Sequence, residues 1–124
     1  MFISGKVLPV FISEDNPELL EAKKRKILTL TYPEILGLIS KNKFTIAVSG
    51  THGKTTTTAM IAKMMVDANL DPTVIVGSFM NPSTTLRTSD IRSNLIVGKS
   101  NYFVVEACEY KRSFLNISPK IIII

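Results

Sequence analysis

The sequence predicts an α/β fold built on a parallel sheet, and three observations predict it. Phe44 to Ser49 (FTIAVS) is a short, nearly continuous apolar run, the pattern of a parallel strand buried on both faces. It feeds a glycine-containing segment, Gly50 to Thr58 (GTHGKTTTT), and then Ala59 to Leu70, where Met60, Ile61, Met64, Met65 and Ala68 recur at helical spacing. Further strand-like runs follow at Thr73 to Gly77 (TVIVG), Tyr102 to Ala107 (YFVVEA) and Ile121 to Ile124.

The flanking elements follow from local signals. Asp15-Asn16-Pro17-Glu18 combines a side-chain cap, a proline where no N–H is needed and an acid at the positive end of the dipole, so a helix is expected from Pro17 to about Lys26. Ile27 to Leu30 reads as a short strand, and Thr31-Tyr32-Pro33-Glu34 repeats the cap-and-proline logic for a second helix through about Ser40. Lys41-Asn42-Lys43 reads as a linker. Asn69 and Asp71-Pro72 stop the helix after the glycine segment. Ser78 to Ser100 is polar and without clear periodicity, which suits a functional loop or hairpin, and Ser113 to Leu115 begins a short helix.

Composition narrows the class. With 124 residues the chain is one modest domain or parts of two, and 45% hydrophobic residues can bury a core, which excludes a disordered tail. One cysteine, Cys108, and one histidine, His52, exclude both a disulfide framework and a Cys/His zinc site. Met1 to Ile12 lacks the basic start and cleavage pattern of a signal peptide, and no window approaches the roughly 18 to 20 apolar residues of a membrane span. A cytoplasmic location is expected. The net charge of +5 is scattered, and its one cluster, Lys23 to Lys26, shares a helix with Glu18 and Glu21, so it reads as a solvated face and not as a nucleic-acid surface.

The segment Gly50-Thr51-His52-Gly53-Lys54-Thr55 carries the chemistry. A nucleoside triphosphate needs inward backbone N–H groups, no obstructing side chains, one mobile cation and one hydroxyl on the metal. Gly50 and Gly53 allow the tight path, the amides of the following helix meet phosphate oxygens, Lys54 reaches the β and γ phosphates, and Thr55 ligates Mg²⁺. Only the second half of the common phosphate-loop pattern is met, because Val48 stands where its first glycine would be. Glu106, at the end of the YFVVEA strand, is placed where parallel sheets present ligand groups, and its carboxylate is the expected Mg²⁺ partner. Cys108, between Glu106 and Glu109, is expected to be packed, since neighbouring carboxylates raise a thiol pKa. His52 lies inside the loop, either orienting it by hydrogen bonds or touching substrate.

GTHGKTTTTAMIA at Gly50 to Ala62, together with VVEACE at Val104 to Glu109, resembles the Mur ligases of peptidoglycan synthesis. EDNPELLEAKKRKI at Glu14 to Ile27 resembles the end of the first, UDP-binding domain of the branch that joins L-alanine to UDP-N-acetylmuramate. The resemblance implies an ATP-dependent amide ligase that works through an acyl phosphate, with ATP and Mg²⁺ as cofactors. It implies that Gly50, Thr51, His52, Gly53, Lys54, Thr55 and Thr56 bind ATP, that Lys54 acts catalytically on the terminal phosphates, and that Thr55 and Glu106 serve Mg²⁺. It further implies the tail of a Rossmann-like, UDP-substrate-binding domain over residues 1–42 and the N-terminal part of an ATP-binding central domain over 43–124. Cys108 departs from the family, which usually has aspartate there. The dinucleotide-like opening turn and the C-terminal domain are not in these 124 residues, so the chain is expected to be a fragment inactive alone. A ligase that recycles a murein tripeptide and a non-catalytic nucleotide-binding module are the alternative readings.

Overall fold

Side-chain caps start the first two helices. A computed structural model describes residues 6–8, 13–77, 94–108 and 110–124. In it the Asn16 side-chain oxygen accepts the amide N–H groups of Glu18 and Leu19 at 3.0 and 3.2 Å, satisfying two donors that a helix leaves unpaired, and α1 runs over Pro17–Lys24. The helix closes in a Schellman arrangement. Lys26 takes a left-handed φ of 55° while its N–H donates to the Lys23 carbonyl and that of Ile27 to the Ala22 carbonyl. That turn uses up Ile27 and Leu28, so β2 lies later than expected, at Thr29–Thr31. β2 pairs in parallel with β1 (Lys6–Leu8), a strand not foreseen in the apolar opening segment.

Helix α2 (Tyr32–Lys41) begins with a reciprocal capping box. Thr31 Oγ1 accepts the Glu34 N–H at 3.4 Å, and the Glu34 carboxylate accepts the Thr31 N–H at 2.6 Å and its hydroxyl at 2.7 Å. These bonds, the backbone one foremost, favour the ionised form and hold the Glu34 carboxyl below its ordinary 4.5.

The central sheet has the order β5–β4–β6–β3–β7, from strands β3 (Phe44–Val48), β4 (Thr73–Ile75), β5 (Leu95–Ile96), β6 (Tyr102–Glu106) and β7 (Ile121–Ile123). Its pairings are parallel except for β4 with β5. The hairpin expected between Ser78 and Ser100 is seen only in its returning strand, since residues 78–93 lie outside the described set. β6 is central, and Phe103, Val104 and Val105 have no exposed surface, so both faces must be covered. Leu36 of α2 and Ile117 pack with Ala47, Phe103, Val105 and Ala107 on one side. On the other, Ala62 and Met65 of α3 (Lys54–Asp67) pack with Val74, Val76 and Val104.

α3 starts five residues earlier than the apolar spacing indicates. Threonines are poor helix interiors, but Thr58 sits one turn in and donates its buried hydroxyl to the Lys54 carbonyl at 2.7 Å, while Gly53 supplies the left-handed cap. The helix ends at a second Schellman turn with Asn69 at φ 59°, as the breaker residues indicate. A 3₁₀ helix at Tyr110–Asn116 follows β6, and α2 meets it closely: a Cβ at Gly37 would come within 2.6 Å of the Asn116 carbonyl oxygen.

Replacing Thr31 by alanine should cost about 1 kcal/mol, read as a lower urea midpoint at pH 7. Because the Glu34 pKa is depressed, its contribution is complete above 4.5 and is lost as pH falls through the lowered value. Thr31→Ala keeps the backbone N–H that is the larger cause, so the acid loss is tested with Glu34→Gln. That variant should lose less stability from neutral to acidic pH than the parent does, and equal losses would remove the Glu34 carboxylate as their cause.

Candidate functional site

The site is assembled by strand register. β3 and β6 are parallel neighbours with Val48 opposite Glu106, and the Ala107 N–H donates to the Val48 carbonyl at 2.8 Å. The loop leaving β3 therefore begins beside Glu106. Gly50 and Gly53 take φ of 127° and 77°, values that L side chains rarely adopt. A Cβ on Gly53 would meet nothing within 4 Å, so the backbone angle and not crowding demands glycine, and open space lies against it. Lys54 Nζ donates to the Gly50 carbonyl at 2.6 Å, which folds the cation across the loop. The Thr57 N–H donates to the Gly53 carbonyl at 2.9 Å, so the amides of Lys54, Thr55 and Thr56 lie ahead of the first bond of the helix, where anions are favoured.

Thr55 Oγ1 donates to Glu106 Oε2 at 2.9 Å, and the Gly77 N–H donates to the same oxygen at 2.8 Å. The sequence reading paired Thr55 with Glu106, and the fold brings these two together across 51 positions of chain. A hydroxyl and a carboxylate are hard oxygen donors of the kind Mg²⁺ accepts while keeping water and phosphate ligands. Among the described residues no three His, Cys, Asp or Glu side chains converge on one point.

The remaining loop residues, Thr51, His52 and Thr56, are exposed. Among the described residues the His52 ring makes no hydrogen bond to the loop, and its side chain is exposed. Cys108 corrects an expectation. It is exposed rather than packed, because the strand ends at Glu106 and Ala107 is the last buried side chain of that run. Glu109 lies outside the described residues.

Two residues near the site went unrecognised in the sequence. Gly77 read only as a strand end, since nothing in the sequence sets that strand end beside Glu106. Tyr32 read only as a helix start, yet its phenol is held above the ordinary 10.0, first by burial and then by the charges of Glu106 and Cys108. The raised pKa means that its stabilisation is complete below pH 10 and is lost as pH rises through the higher value. Tyr32→Phe should accordingly move the alkaline unfolding midpoint to higher pH, and an unchanged midpoint would detach Tyr32 from the Glu106 field.

Residues 48–124 match the family model described as the Mur ligase middle domain. The chain is 50% identical over 111 residues to UDP-N-acetylmuramate–L-alanine ligase of Clostridium tetani, covering 89% of this chain and 23% of that protein. Its fold is similar to that of UDP-N-acetylmuramate:L-alanyl-γ-D-glutamyl-meso-diaminopimelate ligase from Neisseria meningitides, with TM-score 0.68, 21% identity and coverage of 94% of this chain and 39% of the other. It is also similar to UDP-N-acetylmuramate-alanine ligase from Thermotoga maritima, with TM-score 0.64, 24% identity and coverage of 94% and 26%. At these identities the two structures speak for the fold alone. The chain spans less than a quarter of the length of the Clostridium tetani relative. Because the family model takes in residues 48–124, well over half of the sequence, the chain belongs to the Mur ligase family.

Proposed function

We propose that this chain supplies the phosphate-binding part of an ATP-dependent ligase that joins L-alanine to UDP-N-acetylmuramate through an acyl phosphate, in peptidoglycan precursor synthesis. The observation that carries the reading is the Thr55–Glu106 hydrogen bond at the mouth of a glycine loop and helix N-terminus. Half-identity to a relative named for that reaction supports the choice of substrates. In this reading residues 1–42 are the end of the UDP-substrate domain and residues 43–124 the start of the ATP-binding domain. The separate β1–β2 sheet supports the division, with α2 packing Leu36 across it onto the central sheet.

The residues divide the work as follows. Gly50, Thr51, His52, Gly53 and the amides of Lys54, Thr55 and Thr56 hold the polyphosphate. Lys54 exchanges the Gly50 carbonyl for the terminal phosphate oxygens and stabilises the charge that shifts during transfer. The lactyl carboxylate oxygen bonds to the γ phosphorus as its bond to ADP breaks. The alanine amine then attacks the acyl carbon, phosphate leaves with the bonding pair, and the amine proton passes to solvent or a base. Thr55 and Glu106 would hold Mg²⁺, which supplies charge neutralisation on the β and γ phosphates when bound.

ATP and a sugar nucleotide as substrates support a cytoplasmic reaction on small molecules. Among the described residues no helix is long and apolar enough to cross a membrane.

The test is phosphate release by the complete protein bearing this segment, with ATP, UDP-N-acetylmuramate and L-alanine. Lys54→Ala should lower the rate at least about a hundredfold with an unchanged melting temperature, and Glu106→Gln should raise the Mg²⁺ concentration needed for half-maximal rate. Full activity in Lys54→Ala would end the loop assignment, and an unmoved Mg²⁺ titration would end that of Glu106. Turnover with a murein tripeptide in place of L-alanine would make the protein a recycling ligase, and ATP binding without turnover a nucleotide-binding module.

A further inference from the structure

Of the glycines near the site, Gly50 and Gly53 have an evident backbone reason, since both sit at positive φ, whereas Gly77 is not among the positive-φ residues. Its angle is open to any residue. What surrounds it is a carboxylate: a Cβ built on Gly77 would lie 3.2 Å from Glu106 Oε2, 3.3 Å from Cδ and 3.3 Å from Oε1. The three distances are nearly equal, so the whole group lies against the Gly77 α-carbon. Contacts this short force one side to move by a few tenths of an ångström. The Gly77 N–H meanwhile donates to Oε2 at 2.8 Å.

We propose that Gly77 is a positioning residue for the metal carboxylate: its amide and its missing side chain together keep Glu106 turned toward Thr55. Two donors from different elements, the first turn of α3 and the exit of β4, meet on one oxygen at 2.9 and 2.8 Å. Among the described residues no donor reaches Oε1, which is left for an ion or its water. Neighbouring β4 and β6 pair in parallel with Ile75 opposite Val105, so the chain leaving β4 passes the end of β6 where Glu106 sits. Mg²⁺ demands near-ideal octahedral geometry, so a carboxylate displaced by a methyl group is a poorer partner even with its charge intact.

This inference rests on the proposed ATP and Mg²⁺ reading, and it is tested by binding rather than turnover. ATP binding to the complete protein is followed by calorimetry across a Mg²⁺ series, beside the melting temperature. Gly77→Ala should raise the Mg²⁺ concentration for half-maximal ATP affinity by about tenfold, within the range typical for residues that orient metal ligands, and leave Mg²⁺-free ATP binding and melting unchanged. In a Glu106→Ala background the same substitution should add nothing, because the group it presses on is gone. An unmoved Mg²⁺ dependence, or an equal effect in that background, overturns the proposal. If Lys54→Ala still abolishes ATP binding, the nucleotide reading survives that failure; if the unsubstituted protein binds no ATP, both fall. Should Gly77→Ala not fold, amide hydrogen exchange at Gly77 decides. Exchange about tenfold faster in Glu106→Ala than in the unsubstituted protein supports the bond, and equal exchange overturns it.

Discussion

The parallel pairing of β3 with β6 is the constraint on which the candidate site depends. It puts Val48 and Glu106 side by side, so the loop that leaves one strand and the acid that ends the other emerge together at the carboxyl edge of the sheet. The pairing is secured by burial: β6 offers Phe103 and Val105 to one layer and Val104 to the other, and none of the three has exposed surface. Slipping the register by one residue would exchange those layers and move Glu106 away from Thr55. Core packing thus sets a spacing at the site that the loop alone does not determine.

Polar groups taken into this frame are satisfied one by one. Thr45 is fully buried and donates its hydroxyl to the Ser40 carbonyl at 3.1 Å, while Ser40 Oγ donates to Gly37 and accepts the Ser118 N–H at 2.9 Å. That chain of bonds fastens α2 to β3 and to the segment entering β7. The half-buried Glu106 carboxylate likewise draws on Thr55 and Gly77. Hydrogen bonds to a charged group are worth about 1.5–3 kcal/mol each, which offsets part of the cost of taking it out of water.

Much of this was legible in the sequence because its signals are local. The caps at Asn16 and Thr31, the breakers at Asn69 and Pro72 and the apolar strands act through nearest neighbours, and the glycine–lysine–threonine order points to phosphate only because it stands between a buried strand and an amphipathic helix. What was not legible depends on partners distant in sequence. β1 has only three residues and is a strand through its pairing with β2; the α3 start is fixed by the Gly53 backbone angle, which outweighs the poor propensity of the threonines. The exposure of Cys108 and the roles suggested for Tyr32 and Gly77 follow from which strand ends lie side by side, and composition carries no trace of that.

The order of the central sheet also governs when the site can exist during synthesis. β3 opens at Phe44, but its neighbours open only at Tyr102 and Ile121, so the glycine loop is made long before the strands that hold it. Closing such long loops costs entropy ahead of any reward, which slows folding and leaves apolar strands waiting. On the ribosome, α1, β2 and α2 can take shape as they emerge, whereas the glycine loop lacks its neighbouring strand until β6 has cleared the exit tunnel. A nascent chain stalled before Tyr102 would carry the full GTHGKTTTT motif and still lack Glu106 and the strand that sets it beside Thr55, with its apolar β3 uncovered.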